Sequence, residues 1–360
     1  MIAILKRQLG AVHVIGAVEA DALQIFGLRW DVGPGPSYTT LDDALTAGAL
    51  EVTEVSEAGR VPFLRVANKG DTMVLLMAGE QLIGAKQNRV LNASLLVKAG
   101  GRLEAPVSCV EAGRWGYRSS KFHSQGSSSH AFLRAKMAKY AYLNYRAHGA
   151  PASEQGEVWR EVSRKLRAME TASSSSALED VYVRHRKRLE RILREAAVSD
   201  GSCGVAFAFG GQVRGVDLFD RPDTLARLLP KLVRAYAVDA LEEPEESGRI
   251  GRPEVEAWLR SVSHADFERF DSPGTGDDVR IMSKAMVGAA LLFEGHPVHV
   301  ELFPQTDSGD PQAWDRTIAD QTQFTSRPAD SQPAPAVEKV TPLPPRRRGI
   351  LRRLLTRMLG

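Results

Sequence analysis

Four polar residues in a row, Lys86, Gln87, Asn88 and Arg89, stand between two apolar strand-like runs, with Glu80 before them and Asn92 after. A core segment has no need of such a run between strands; a site for an anionic or nucleotide-like ligand does. The arginine fork matches a phosphate or carboxylate with paired N–H donors, the asparagines can read hydroxyls or a base edge, and the lysine adds charge. The competing reading is a buried polar network that pins a strand crossing. Some twenty residues on come Cys109, Glu111, Arg114 and Trp115. A cysteine nucleophile needs a neighbouring histidine or cation to lower its pKa, and no histidine is close in sequence, which favours an inert buried thiol. Glu111 has three readings: a general base, an acceptor for ribose hydroxyls, or half of an ion pair with Arg114. Trp115 can stack on a base or sugar, or fill core. Glu111 and Cys109 are thus the catalytic candidates. The ligand-binding candidates are Glu80, Lys86, Gln87, Asn88, Arg89, Asn92, Glu111, Arg114 and Trp115.

Other chemistries find less support. There is no Walker A loop, G-x-G-x-x-G or H-E-x-x-H. His123, Ser124, Gln125 and His130 share a serine- and glycine-rich loop over residues 117–130, but no G-x-S-x-G elbow accompanies them. His296 and His299 are three apart in a strand-like run and should point to opposite faces, against a shared metal; no metal site is expected. Arg184, Arg186, Lys187, Arg188, Arg191 and Arg194 read as the solvated face of one helix, partly paired with Glu190 and Glu195.

The elements that must position these residues follow from periodicity. Residues 22–30, 51–55, 61–66 and much of 73–113 carry strand patterns, with a short helix over 41–49. Three helices follow the serine-rich loop: apolar residues share a face at 133, 137, 140 and 141, at 158, 162, 166 and 169, and at 178, 181, 182, 185, 189, 192 and 193. Sheet pattern returns at 204–219. A leucine-rich helix then begins near Pro222, where Asp220 and Asp223 suit its start and Pro230 is expected to kink or split it. A short helix at 254–262 precedes strands at 266–270 and within 279–303. Glycines at 79, 210 and 295 each follow an apolar run, which predicts three hairpins. The expected fold is α+β: one domain over residues 1–305, with mixed or antiparallel sheet from both chain ends and a helical layer between them.

Composition separates the rest. Hydrophobic residues make up 43% of 360, enough for a sizeable core, and the two cysteines form no disulfide framework or zinc set. A reducing cytoplasmic compartment is expected. No apolar run approaches the ~20 residues of a spanning helix, and the interrupted run at 9–18 reads as ordinary structure rather than a leader. The net charge of +3 hides an asymmetry: residues 331–360 hold seven basic residues and one acid, net +6, which leaves −3 for the other 330. Residues 306–345 are rich in Pro and Ser and are expected to be a disordered linker. Residues 346–360 read as a basic amphipathic helix whose Arg346, Arg347, Arg348, Arg352, Arg353 and Arg357 would meet an anionic membrane surface or an acidic partner. Sequence-specific nucleic-acid binding is not expected.

The runs GEQLIGAKQNRVLNASLLV and VSCVEAGRW, with the later GQVRGVDLFDRPDTLARLLPKLVRAYAVDAL, resemble the ARG-and-rhodanese-phosphatase-superfamily-associated protein domain over roughly residues 1–305. That family is named for its association with ADP-ribosylglycohydrolases and rhodanese-like phosphatases. The resemblance implies a role near NAD or ADP-ribose metabolism and implies no catalytic residues; its matching polar positions include Cys109 and Asp217. The leading expectation is therefore a cytoplasmic nucleotide-binding protein, with NAD or ADP-ribose as ligand rather than required cofactor, and with catalysis left open. In it Lys86 and Arg89 hold phosphate, Asn88 and Glu111 hold ribose hydroxyls, and Trp115 stacks. The alternative is a non-catalytic interaction module, peripheral at a membrane or bound to an acidic partner through its tail.

Overall fold

The computed structural model describes residues 1–33, 35–56, 62–243 and 248–305. The linker expected over 306–345 and the basic helix over 346–360 lie outside the described residues.

The chain opens with α1 (Ile2–Gly10), then β1 (His13–Ala20), β2 (Leu23–Arg29), β3 (Tyr38–Thr40), α2 (Leu41–Thr46), β4 (Leu50–Glu54) and β5 (Phe63–Asn68). Next come β6 (Met73–Leu76), β7 (Gln81–Gly84), β8 (Arg89–Leu91), β9 (Leu95–Val97), β10 (Arg102–Cys109) and β11 (Phe122–His123). Three helices follow, α3 (Ala131–His148), α4 (Gln155–Ala168) and α5 (Glu179–Glu195), then the pair β12 (Gly204–Phe209) and β13 (Gln212–Phe219). The chain continues through α6 (Pro222–Ala240) and α7 (Arg252–Arg260) to β14 (Asp266–Asp271), β15 (Asp277–Met282), β16 (Met286–Phe293) and β17 (His296–Pro304).

An eight-stranded sheet runs β1-β2-β12-β13-β17-β16-β15-β14, and every pair in it is antiparallel. It joins the two chain ends directly, since β2 pairs with β12. Side chains alternate across its plane as the pleat requires. On one face Val216, Leu218, Val300 and Leu302 pack with Leu5 and Leu9 of α1 and Val255 and Leu259 of α7. On the other face Phe207 stacks on Tyr236 of α6, and Asp217 and Glu301 meet Arg134 of α3.

A six-stranded sheet, β11-β7-β8-β10-β5-β4, stands apart from it in topology. Its edge strands β4 and β11 lie beside one another, and Glu51 of β4 takes Lys121 just before β11, so the sheet curls toward a small barrel. The three-stranded sheet β3-β6-β9 shares its core, where Leu76 and Val97 pack with Val52, Leu64 and Leu91.

Three expectations need correction. Pro230 neither ends nor splits α6, which runs unbroken through it; Leu225, Leu228, Leu232, Val233 and Tyr236 are buried along one side, and this packing outweighs the ~3 kcal/mol a mid-helix proline costs. The turn at Gly79 is no hairpin, because β6 pairs with β3 and β9 while β7 pairs with β8 and β11; the turns at Gly210 and Gly295 do join paired strands. Nearby, residues 127–130 at the end of the serine-rich loop are buried, with Gln81 N–H donating to the Ser127 carbonyl and Ser129 N–H to that of Gly79. Asp220 does not cap α6 but accepts from the Tyr38 hydroxyl and pairs with Arg221.

Candidate functional site

The polar run 86–89 forms the turn between β7 and β8, and Glu111 and Arg114 follow β10 alongside it. These residues fasten one another. Glu111 Oε1 accepts from Arg114 Nε at 2.9 Å and Ser175 Oγ at 2.7 Å, and its Oε2 accepts from Arg114 Nη2 at 2.6 Å and the Asn88 N–H at 3.0 Å. Gln87 Nε2 donates to the Glu111 carbonyl, and Asn88 Oδ1 accepts from Gly84 N–H and Arg114 Nη2. Burial alone would raise the Glu111 pKa; Arg114, Ser175 and the Asn88 amide outweigh it and hold the carboxyl below its usual range. The ion pair is the reading of Glu111 that this geometry carries, and a carboxylate so held is a weak base.

Cys109 ends β10, fully buried, with Arg89 Nη1 donating to its sulfur. Burial pushes the thiol up to about 11 against the opposing pull of Arg89, with Glu54 adding to the rise. It is a protonated thiol at neutral pH, as the inert reading expects. Gln155 of α4 spans the strand end, its amide accepting from Cys109 N–H at 2.8 Å and donating to the Cys109 carbonyl at 2.9 Å. Asn92 Oδ1 accepts from Ser108 and Ser153. Glu80 is drawn away to Lys231 of α6 and the Met77 N–H.

Trp115 leads outward instead, over the buried Lys86 and Arg89. Trp115 and Tyr117 are 53% and 55% exposed, unusual for rings of this size. Lys86 Nζ lies 5.3 Å from the Trp115 ring centre and 5.1 Å from that of Tyr117, within cation–π reach of both. Beside them opens a cleft of about 680 Å³ where β4 and the approach to β11 meet, lined by Glu54, Arg65, Tyr117, Arg118 and Ser119 among others. Barrel mouths are common places for small-molecule sites. Glu54 lines it and the fully buried Arg89 lies behind: Glu54 Oε1 is 3.7 Å from Arg89 Nη2, yet no hydrogen bond among the described residues reaches either Glu54 oxygen or Arg89 Nε and Nη2. Arg65 and Arg118 are exposed.

The run 86–89 and the pair Glu111–Arg114 are thus brought together, with Trp115 and Cys109 at their edges, while Glu80 and Asn92 serve other contacts. Glu54, Arg65, Tyr117 and Arg118 escaped the sequence reading. Glu54 left a signal: in the alternating run of β4 it takes the inward parity of Leu50 and Val52, where a carboxylate is out of place.

The family model of the ARG and Rhodanese-Phosphatase-superfamily-associated Protein domain, ARPP-1, matches residues 11–303. The chain belongs to this family. No curated protein and no solved structure matches it. The ARPP-1 match takes in the small barrel and ends in β17, so the cleft lies wholly within the domain. Among the described residues of this ARPP-1 protein no helix is long and apolar enough to cross a membrane, and no three His, Cys, Asp or Glu side chains are grouped to hold a metal ion.

Proposed function

We propose that the barrel-mouth cleft binds a nucleotide-like anion. Tyr117 and Trp115 offer ring faces to a base, Arg118 and Arg65 meet phosphate, and Glu54 accepts from ribose hydroxyls. Lys86 adds positive charge beneath the rings. The observation that carries this reading is the buried Glu54–Arg89 pair, whose hydrogen-bonding capacity is unfilled behind an open cleft lined by Tyr117, Arg65 and Arg118. Buried polar atoms are nearly always satisfied by protein, water or ligand. ADP-ribose and NAD are the first ligands to try, because the family is named for its association with ADP-ribosylglycohydrolases. The reading is of binding, since Glu111 is committed to Arg114 and Cys109 is protonated.

A thermal-shift panel of ADP-ribose, NAD, AMP and inorganic phosphate tests it. A ligand at a hundredfold excess over its Kd stabilises the folded chain by about 2.7 kcal/mol. Tyr117→Ala and Arg118→Ala should remove the shift and leave the unliganded melting temperature in place, as both side chains are exposed. A flat panel at millimolar ligand would sink the proposal.

A further inference from the structure

Away from the barrel, three residues from distant parts of the chain meet on the α3-facing side of the eight-stranded sheet. Ser94, just before β9, places its Oγ 2.8 Å from His299 Nδ1 on β17, and His299 Nε2 lies 3.2 Å from Asp217 Oδ1 on β13. A hydroxyl, an imidazole and a buried carboxylate in series are the constellation by which serine nucleophiles are activated. The two ring nitrogens hold the opposite places from those in the familiar triads, and the roles are unaffected.

The surroundings fix the protonation pattern. Arg134 grips Asp217 with both Nη atoms, at 3.0 and 2.5 Å, and Tyr236 lies 3.4 Å from the same carboxylate. Burial would raise the Asp217 pKa; Arg134 and His299 outweigh it and hold it at about 2. Asp217 is therefore an acceptor only, so the imidazole carries its hydrogen on Nε2 and turns the Nδ1 lone pair toward Ser94. Phe219 stacks on the ring, centres 4.8 Å apart, and keeps it from turning.

Charge is arranged to match. Arg134 Nη2 also donates to Glu301 at 2.9 Å. Two carboxylates against one guanidinium leave a single negative charge, which an imidazolium at His299 would neutralise. The nearby Arg280–Asp278 pair is balanced within itself, and the Tyr236 hydroxyl stays protonated. Ser94 alone of the three is only partly buried, and its Oγ accepts from the Ala78 N–H at 2.9 Å, which holds the hydroxyl in place with its proton free for His299. A histidine satisfied for structural reasons needs neither the excess negative charge behind it nor a partly exposed serine ahead of it.

We propose that Ser94, His299 and Asp217 form a reactive centre that accepts an acyl group from a small ester. Ser94 Oγ bonds to the acyl carbon as the bond to the ester's leaving oxygen breaks. The hydroxyl proton passes to His299 Nδ1 and from there to that leaving oxygen. Water then attacks the acyl-serine, gives a proton to Nδ1, and the proton returns to Ser94 as the acid leaves. Asp217 is a positioning residue, acting through the imidazole.

The test uses the full chain and a small alkyl fluorophosphonate, which marks activated serines by displacement of fluoride. Peptide mapping should find one phosphonyl adduct, on Ser94, absent from Ser94→Ala. His299→Asn, checked for folding by circular dichroism, should label at least about 100-fold more slowly, the usual scale of general-base catalysis. On the unaltered chain, the labelling rate should rise through one ionisation to a plateau, which stands even if His299→Asn fails to fold. No adduct on Ser94, equal labelling of a folded His299→Asn chain, or a rate climbing tenfold per pH unit without a plateau would each overturn the proposal.

Discussion

Two buried Glu–Arg pairs sit at the same end of the small barrel, and they differ in how full they are. In the Glu111–Arg114 pair both carboxylate oxygens take two donors, and the guanidinium also spans the carbonyls of Ala85 and Gly116. It ties the β7–β8 turn to the chain after β10 and to the segment before α5. In the Glu54–Arg89 pair the groups stand 3.7 Å apart with lone pairs and N–H bonds unspent, next to the cleft. Residue type is the same; saturation is not. A closed pair is architecture, whereas an open one buried behind a cleft keeps bonding capacity in reserve.

Removing each acid is the sharpest way to break that contrast. Glu111→Ala strips Arg114 of its partner and frees the Asn88 amide and Ser175 in the interior, and should cost about 3–5 kcal/mol. Glu54→Gln removes no protein hydrogen bond, although it takes the carboxylate from beside the buried Arg89, and should cost less than Glu111→Ala. Urea unfolding of the two variants measures both. Equal losses would erase the distinction between closed and open pairs.

A third buried acid sharpens it. Glu179, at the start of α5, accepts from Ser127 Oγ at 2.7 Å; that bond and Arg234 favour the carboxylate, while Asp180 adds like charge. Burial dominates and raises its pKa from the usual 4.5 to about 7. The folded chain thus holds this proton more tightly than the unfolded one. Its contribution to stability is fully present below pH 4.5 and is lost as pH rises through 7. Glu179→Gln keeps the bond from Ser127 without the charge. It should leave stability unchanged at pH 4 and raise it at pH 8 by about 3 kcal/mol. No difference between the two pH values would mean that Glu179 ionises as an ordinary surface acid does.

The smallest effect expected is an absence of reaction. Cys109 backs the open pair from the protein side, and Cys203 is buried in the main sheet. Ellman's reagent at pH 8 should find no reactive thiol in the folded chain and two in denaturant. Fast reaction at Cys109 would show that the cleft extends past Arg89 into the barrel.

The α+β fold was legible because its signals are local: period-two runs, helical stripes, and turn glycines at 210 and 295. The helix through Pro230 and the missing hairpin at Gly79 were not, since both depend on what the element packs against. The site divides in the same way. The run 86–89 announces itself as polar, but only the fold reveals that Asn88 and Glu111 are spent on Arg114. Glu54 and Tyr117, some sixty residues apart, come together only because β4 and β11 close the curled sheet. His299 and Ser94 are separated by more than two hundred residues, so no spacing rule could have joined them.

The β2–β12 pairing also has a consequence in time. Phe26 lies opposite Ala206 in the completed sheet, 180 residues later in the chain. At ~5–20 residues per second a ribosome needs roughly 9–36 s to span that gap. Through that interval the hairpin of β1 and β2 has an unpaired edge on β2, with six of its seven residues of a kind that end up buried. Two-stranded hairpins are marginal alone, and apolar edges invite pairing with other chains. The barrel segment and the three helices after it emerge before β12 and can fold on local contacts, whereas the large sheet must wait for its second half. Folding of this protein therefore runs from its middle outward, and its N-terminal strands are the part that a chaperone or a slow codon run would have to protect.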